Sequence, residues 1–290
     1  MRMRPKQSWR AADCALLAVL LGVGAYLHRQ PLADIVAIGL RDEEQSHIFL
    51  APVVALWLLW LRRSRLRYVS RRPSPVGPLL AAAGWLASWW GFSTGVQLMW
   101  HGGALVTLVG IVLSFTGTLP LRLFAPVFAA LGFMLPIPGI VRHEIAYPLQ
   151  AMAATITHGT FELIGIGAVK SGNVLVINGE QVAVGEACNG MRMVFALMLV
   201  VYAFAFCTPL KPGTRLVLLL VSPVVALGCN VVRLVPTSLF FGYGSVEAAQ
   251  TFHDLAGWVM LPVALLALLG VLRLIRWLEF PVTSFRLASQ

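Results

Sequence analysis

Three residues of this chain carry side chains suited to covalent chemistry, and each sits at the end of an apolar stretch. Cys188 stands in Glu186-Ala187-Cys188-Asn189-Gly190-Met191-Arg192, Arg233 in Asn230-Val231-Val232-Arg233, and His253 in His253-Asp254-Leu255-Ala256-Gly257. A thiol attacks a carbonyl as its thiolate, and an ordinary cysteine has a pKa of about 8.5. A helix start and a neighbouring cation both lower that value. Cys188 opens an apolar run and has Arg192 four residues on. His253 is the candidate to take the thiol proton and return it to a leaving amine. Arg233 is the candidate to hold the carbonyl oxygen as negative charge develops on it. Gly190 lets a substrate backbone come close, and Glu186, Asn189 and Asn230 are candidate supports.

Each residue also has a plainer role. A lone cysteine at a helix end is usually structural. An arginine closing a span usually anchors it at the interface, and Arg192 would snorkel in the same way. A histidine ahead of a span usually sits in a solvated loop. Glu186 would cap its helix or pair with Arg192. Spacing alone leaves both sets of roles open.

The elements that must position these residues are apolar helices. Of 290 residues, 58% are hydrophobic and 12% charged, with mean hydropathy +0.80. Soluble domains carry about 25% charged residues, so a soluble or disordered chain is excluded. An outer-membrane barrel is excluded too, because its strands alternate and never run apolar for a whole span. The expected fold class is an all-α polytopic integral membrane protein in a single domain over 1–290. A span needs about 20 apolar residues. Eight fit, near 11–27, 45–61, 76–93, 97–116, 119–138, 189–208, 214–232 and 255–277. A segment over 139–188 is expected on the outer face, with 145–166 interfacial or re-entrant.

The net charge of +10 points to membrane lipid rather than nucleic acid, because the basic residues flank apolar runs. Arg2, Arg4, Lys6 and Arg10 precede the first span. Arg62, Arg63, Arg65, Arg67, Arg71 and Arg72 follow the second. With both termini cytoplasmic, most of the basic residues fall inside, including Arg122, Lys211, Arg215, Arg273, Arg276 and Arg286. Cys188, Arg233 and His253 then share the outer face. His47 also lies at an outer helix end and is a further candidate for lining the site.

The stretch Asn173–Val184 differs from the rest. β-Branched residues flank Asn178-Gly179, the strongest short hairpin signal, so a two-stranded hairpin on the outer face is expected to lead into Cys188. The cysteines Cys14, Cys188, Cys207 and Cys229 show no Cys-x-x-Cys and no zinc spacing. Neither a disulfide nor a metal or other cofactor is expected.

Four stretches together resemble the exosortase/archaeosortase family. Ser46-His47-Ile48-Phe49-Leu50-Ala51-Pro52 is similar to the family's Ser-His-Gly-x-Leu-x-Pro pattern, with Ile48 where glycine is common. Glu186 to Arg192 is similar to its Cys-x-Gly-x-Arg signature. Asn230-Val231-Val232-Arg233 and His253 with Gly257 complete the set. The resemblance runs over roughly 40–275. It implies a membrane cysteine transpeptidase with Cys188, Arg233 and His253 as its triad, the histidine pointing to the bacterial exosortase branch and so to a bacterial cytoplasmic (inner) membrane. The implied substrates are exported proteins with a C-terminal sorting signal: a short motif, often Pro-Glu-Pro, then a transmembrane helix and a basic tail. The implied acceptor is an exopolysaccharide or lipid-linked group, and the thioester intermediate is resolved by an amine, a hydroxyl or water.

Two other classes compete. A small permease or flippase for lipid-linked glycans predicts broken helices and a charged site near mid-membrane. A non-catalytic scaffold for polysaccharide export predicts that Cys188→Ser is harmless. A metalloprotease is disfavoured because no His-Glu-x-x-His occurs, and a serine protease because no Gly-x-Ser-x-Gly opens a helix.

Overall fold

The structure, a computed structural model, describes residues 10–184 and 191–277. The chain divides into two compact units, Met1–Pro138 and Gly139–Gln290.

In the first unit, α1 (Ala11–Leu27) passes into α2 (Arg29–Arg41) through a 72° bend. The sequence predicts a loop over 28–44, and the helix is a correction. Its reason is amphipathicity: Pro31 sits in the first turn of α2, where its missing N–H costs least, and Pro31, Ile35 and Gly39 form its buried face. A 3-10 turn, Glu43–Gln45, leads to α3 (His47–Leu61), and a second, Arg63–Tyr68, follows it. Then come α4 (Val76–Thr94), α5 (Gln97–Thr116), α6 (Leu119–Leu123) and α7 (Ala125–Gly132). The continuous span expected over 119–138 is therefore broken. Pro120 and Pro126 each sit in the first turn of a short helix, where a missing N–H costs least.

The tightest packing of the unit is the antiparallel pair α4 and α5. Small residues recur on α4 at Gly77, Ala81, Gly84, Ser88 and Gly91, and on α5 at Gly103, Thr107, Gly110 and Ser114. This alternating three- and four-residue spacing lines up one face of each helix. A Cβ on Gly84 would stand 2.6 Å from the Thr107 nitrogen, and one on Gly77, Gly103 or Gly110 would strike the facing backbone at Ser114, Ser88 or Ala81. Close backbone approach is how helices associate in lipid, where apolar burial against a partner gains little over burial in acyl chains. Ser88 Oγ donates to the Trp100 carbonyl at 2.9 Å across the same seam. Gly95 in the left-handed region closes the turn between the helices. The outer flanks of α4 leave Leu79, Trp85, Trp89 and Trp90 exposed, as a lipid-facing surface requires.

In the second unit, α8 (Gly139–Leu163) precedes β1 (Ala168–Ser171), β2 (Val174–Ile177) and β3 (Glu180–Ala183), followed by α9 (Met191–Cys207), α10 (Pro212–Tyr243) and α11 (Val246–Trp277). The expected two-stranded hairpin is one half of a three-stranded antiparallel sheet, β1-β2-β3. Asn178 (φ 53°) and Gly179 (φ 85°) form its predicted turn, with both φ values positive as a type I′ turn demands. The third strand escaped notice because Ala168–Ser171 is short and exposed and carries no alternation to read. Of the segment 145–166, expected to be interfacial or re-entrant, residues 145–163 belong to one 25-residue helix, α8, and 164–166 form the turn that follows it.

Leu175 and Ile177 of β2, with Val184, pack on Ala153, Ala154 and Phe161 of α8 and on Leu227, Val231 and Leu234 of α10. A second cluster joins Val194, Leu197 and Val201 of α9, Ala226 and Cys229 of α10, and Ala264 and Leu268 of α11. The sheet is thus bolted to the same α10 whose opposite flank meets α9 and α11. By length and apolarity, two described helices suffice to cross a membrane, α5 and α10, or up to four when each bent pair counts as one span. The protein is a helical membrane protein with one small sheet.

Candidate functional site

α10 is 32 residues long and carries Asn230 and Arg233 in its interior. The sequence places Arg233 at the end of a seventh span, near 232. The helix continues another ten residues instead, because Leu234 to Tyr243 stays apolar and Pro236 does not stop it. Arg233 is 7% exposed and Asn230 fully buried. A guanidinium has five donors and no acceptor, so burial demands oxygen partners. One is supplied in the preceding turn: Arg233 Nη2 donates to Asn230 Oδ1 at 2.8 Å. Thr237 Oγ1 in turn donates to the Arg233 carbonyl at 2.8 Å.

The guanidinium faces α11. A Cβ on Gly257 would lie 3.4 Å from Arg233 Nη1, at ordinary van der Waals distance, so the charge sits against α11 at this residue. His253 is one turn before Gly257, on the same face by four-residue spacing. Its side chain is 18% exposed, and its Nδ1 lies 3.1 Å from Asp254 Oδ1. Arg233 and the His253 face of α11 therefore meet along one helix–helix contact, with Asn230 beside them.

Cys188, Glu186, Asn189 and Gly190 lie outside the described residues. Arg192 falls in the first turn of α9, and its side chain also lies outside them. The described chain brackets the segment: β3 ends at Ala183 and α9 begins at Met191. α9 packs on both α10 and α11.

His47 belongs to the first unit. It opens α3, is 4% exposed, and its Nδ1 lies 3.3 Å from the Glu44 carbonyl. The turn beneath it is built by Asp42, whose Oδ1 accepts from the Glu44 N–H at 3.1 Å and whose Oδ2 accepts from Gln45 Nε2 at 3.2 Å. Gln45 Oε1 also accepts from the Ile137 N–H at 2.9 Å.

Sequence reading missed a half-buried pair in the same unit. His101 on α5 is fully buried, and its Nε2 lies 2.9 Å from Asp34 Oδ2 on α2. The available signal was His101 itself, an ionisable residue within an apolar span. Its partner was hidden because 28–44 reads as a loop. Among the described residues, no group of three or more His, Cys, Asp or Glu is placed to hold a metal ion.

No curated protein and no solved structure shows significant similarity to the chain. A family model described as transmembrane exosortase matches residues 39–270, which takes in the α3 cap, the sheet, the 186–192 stretch, Asn230 with Arg233, and His253 with Gly257. With the match running over most of its length, the chain belongs to the transmembrane exosortase family.

Proposed function

We propose that this protein is a membrane cysteine transpeptidase or endopeptidase that cleaves the C-terminal sorting signals of exported proteins. The observation that carries the reading is the buried Arg233, held by Asn230 and facing Gly257 one turn from His253. A buried cation with an imidazole on the facing helix suits a carbonyl reaction. Cys188 gives its proton to His253 and attacks the scissile carbonyl. Arg233 stabilises the oxyanion. His253 returns the proton to the leaving amine as the C–N bond breaks, which leaves a thioester. An incoming amine, hydroxyl or water, its proton taken by His253, displaces the thiolate. The product is an amide, an ester or an acid, and Cys188 is regenerated.

Glu186, Asn189, Gly190 and Arg192 flank the nucleophile in this reading. The enzyme sits in a bacterial inner membrane with both termini cytoplasmic and the reactive residues on the outer face. A substrate helix then lies alongside with its basic tail inside, and its scissile bond stands at the level of Cys188. The acceptor is a surface polysaccharide or a lipid-linked group.

The test is co-expression of a reporter bearing a Pro-Glu-Pro motif, a transmembrane helix and a basic tail with wild type or Cys188→Ala at equal membrane levels. Shortening by wild type alone is expected. Equal shortening by both defeats the triad.

A second reading, a permease or flippase for lipid-linked glycans, is favoured by two observations in the first unit: the 72° break between α1 and α2 and the Asp34–His101 pair, whose histidine is fully buried. It requires glycan transport that survives Cys188→Ala and fails in Asp34→Asn.

A further inference from the structure

We propose that the free edge of β3 receives an extended strand of the substrate polypeptide and leads it toward Cys188. The inference rests on the reading of Cys188 as the nucleophile. The register pairs Ile177 with Glu180 and Leu175 with Val182, and the Val184 N–H donates to the Asn173 carbonyl at 2.9 Å. In an antiparallel ladder closed by a two-residue turn, Glu180, Val182 and Val184 thus bond inward to β2. Gln181 and Ala183 turn their N–H and C=O groups to the opposite side. Both residues are exposed, and among the described residues neither of those backbone groups has a hydrogen-bond partner.

The other edge of the sheet is treated differently. Lys170 and Ala168 are the outward residues of β1 by the same register. The Ala168 carbonyl lies 3.0 Å from His158 Nε2, and Lys170 places a charge there. Both are ways in which proteins blunt an edge strand. β3 has neither.

A cleft of about 380 Å³ adjoins the open edge. Asn178, Glu180 and Gln181 line it from the hairpin, and Phe241, Tyr243 and Val246 from the α10–α11 corner. Asn178 Nδ2 donates to the Gly242 carbonyl at 3.1 Å and ties the two walls together. A strand added to β3 would send alternate side chains into this cleft, as in other cases of strand addition. The position suits the candidate chemistry. Cys188 is five residues beyond Ala183, within about 17 Å of extended chain. The cleft stands nine residues along α10 from Arg233, a rise of about 13 Å. The polypeptide on the N-terminal side of the cleaved bond is the occupant, since it stays with the enzyme as the thioester.

Gln181→Pro and Ala183→Pro each delete one outward N–H and leave every bond to β2 in place, and proline is tolerated on edge strands. Each is expected to lower processing of the motif–helix–basic-tail reporter roughly three- to tenfold, the worth of one backbone hydrogen bond. Lys170→Pro on the opposite edge is expected to leave it unchanged. A photo-crosslinking amino acid placed at position 181 or 170 of the full-length Cys188→Ala protein, in membranes with the reporter, separates docking from misfolding. Capture of the reporter from 181 and not from 170 is expected. Unchanged processing in both β3 variants, or capture from 170 as strong as from 181, overturns strand addition. So does lost processing without capture from 181. Reporter cleavage by the Cys188→Ala protein would defeat the catalytic reading instead, and the crosslink would still judge the docking.

Discussion

Arg233 is a charge that the second unit keeps buried by giving it an oxygen one turn away. Asn230 Oδ1 accepts its hydrogen bond at 2.8 Å, and bonds to charged groups are worth about 1.5–3 kcal/mol. Asn230→Ala is therefore expected to lower kcat of reporter cleavage roughly ten- to hundredfold with a smaller change in KM. Asn230→Asp, which keeps an acceptor oxygen, is expected to recover part of the loss. Equal defects in both variants would mean that Asn230 only packs. Arg233→Lys is expected to fail as well, since an ammonium on a flexible stem does not reproduce a planar fork. Arg192 changes are expected to weaken folding or binding more than turnover. Enzyme tolerance at Arg233 would remove it from the mechanism. Loss of the Asn230 bond alone would not, because Nη1 still lies against α11 at Gly257.

At the scale of elements, two devices hold the described helices and strands in place. The α4–α5 seam depends on absent side chains. Gly84→Val would drive a side chain into the Thr107 backbone 2.6 Å away, and overpacking of this kind costs about 1–3 kcal/mol. A lower melting temperature in detergent is expected for Gly84→Val. Gly22→Ala, with nothing within 4 Å of its Cβ, is expected to leave the melting temperature unchanged or raise it slightly. A similar drop in both would mean that the seam is not where the pair is tight. The hairpin turn is the second device. Gly179 sits at φ 85°, where a Cβ costs about 1–2 kcal/mol. Gly179→Ala is expected to speed amide exchange in β2 and β3 and to leave exchange in α4 and α5 unchanged. Uniform acceleration across the protein would show that the sheet is not a separable element.

At the scale of the whole molecule, the charge distribution makes an orientation testable. A cysteine replacing Arg67, in the arginine-rich turn after α3, is expected to react with a membrane-impermeant thiol reagent only in inside-out vesicles. One replacing Lys170, on β1, is expected to react only in intact spheroplasts. The reverse pattern would put the candidate site on the cytoplasmic face and remove exported proteins as substrates.

The sequence by itself determined the membrane class, because 58% hydrophobic and 12% charged residues leave no other fold that buries its backbone. Its apolar runs near 11–27 and 97–116 coincide with the helices α1 and α5. It determined the Asn178-Gly179 turn, because only a type I′ geometry suits that pair. It marked Cys188, Arg233 and His253 as candidate reactive groups, and the motif order carried the family. It did not show that Asn230 serves Arg233, or that the guanidinium lies against Gly257, a contact that arises only when α10 and α11 cross. Nor could hydropathy find α2, whose buried stripe is short, or β1, whose residues are exposed. The Asp34–His101 pair, the glycine seam and the free edge of β3 exist only between elements, where distance rather than composition decides what meets.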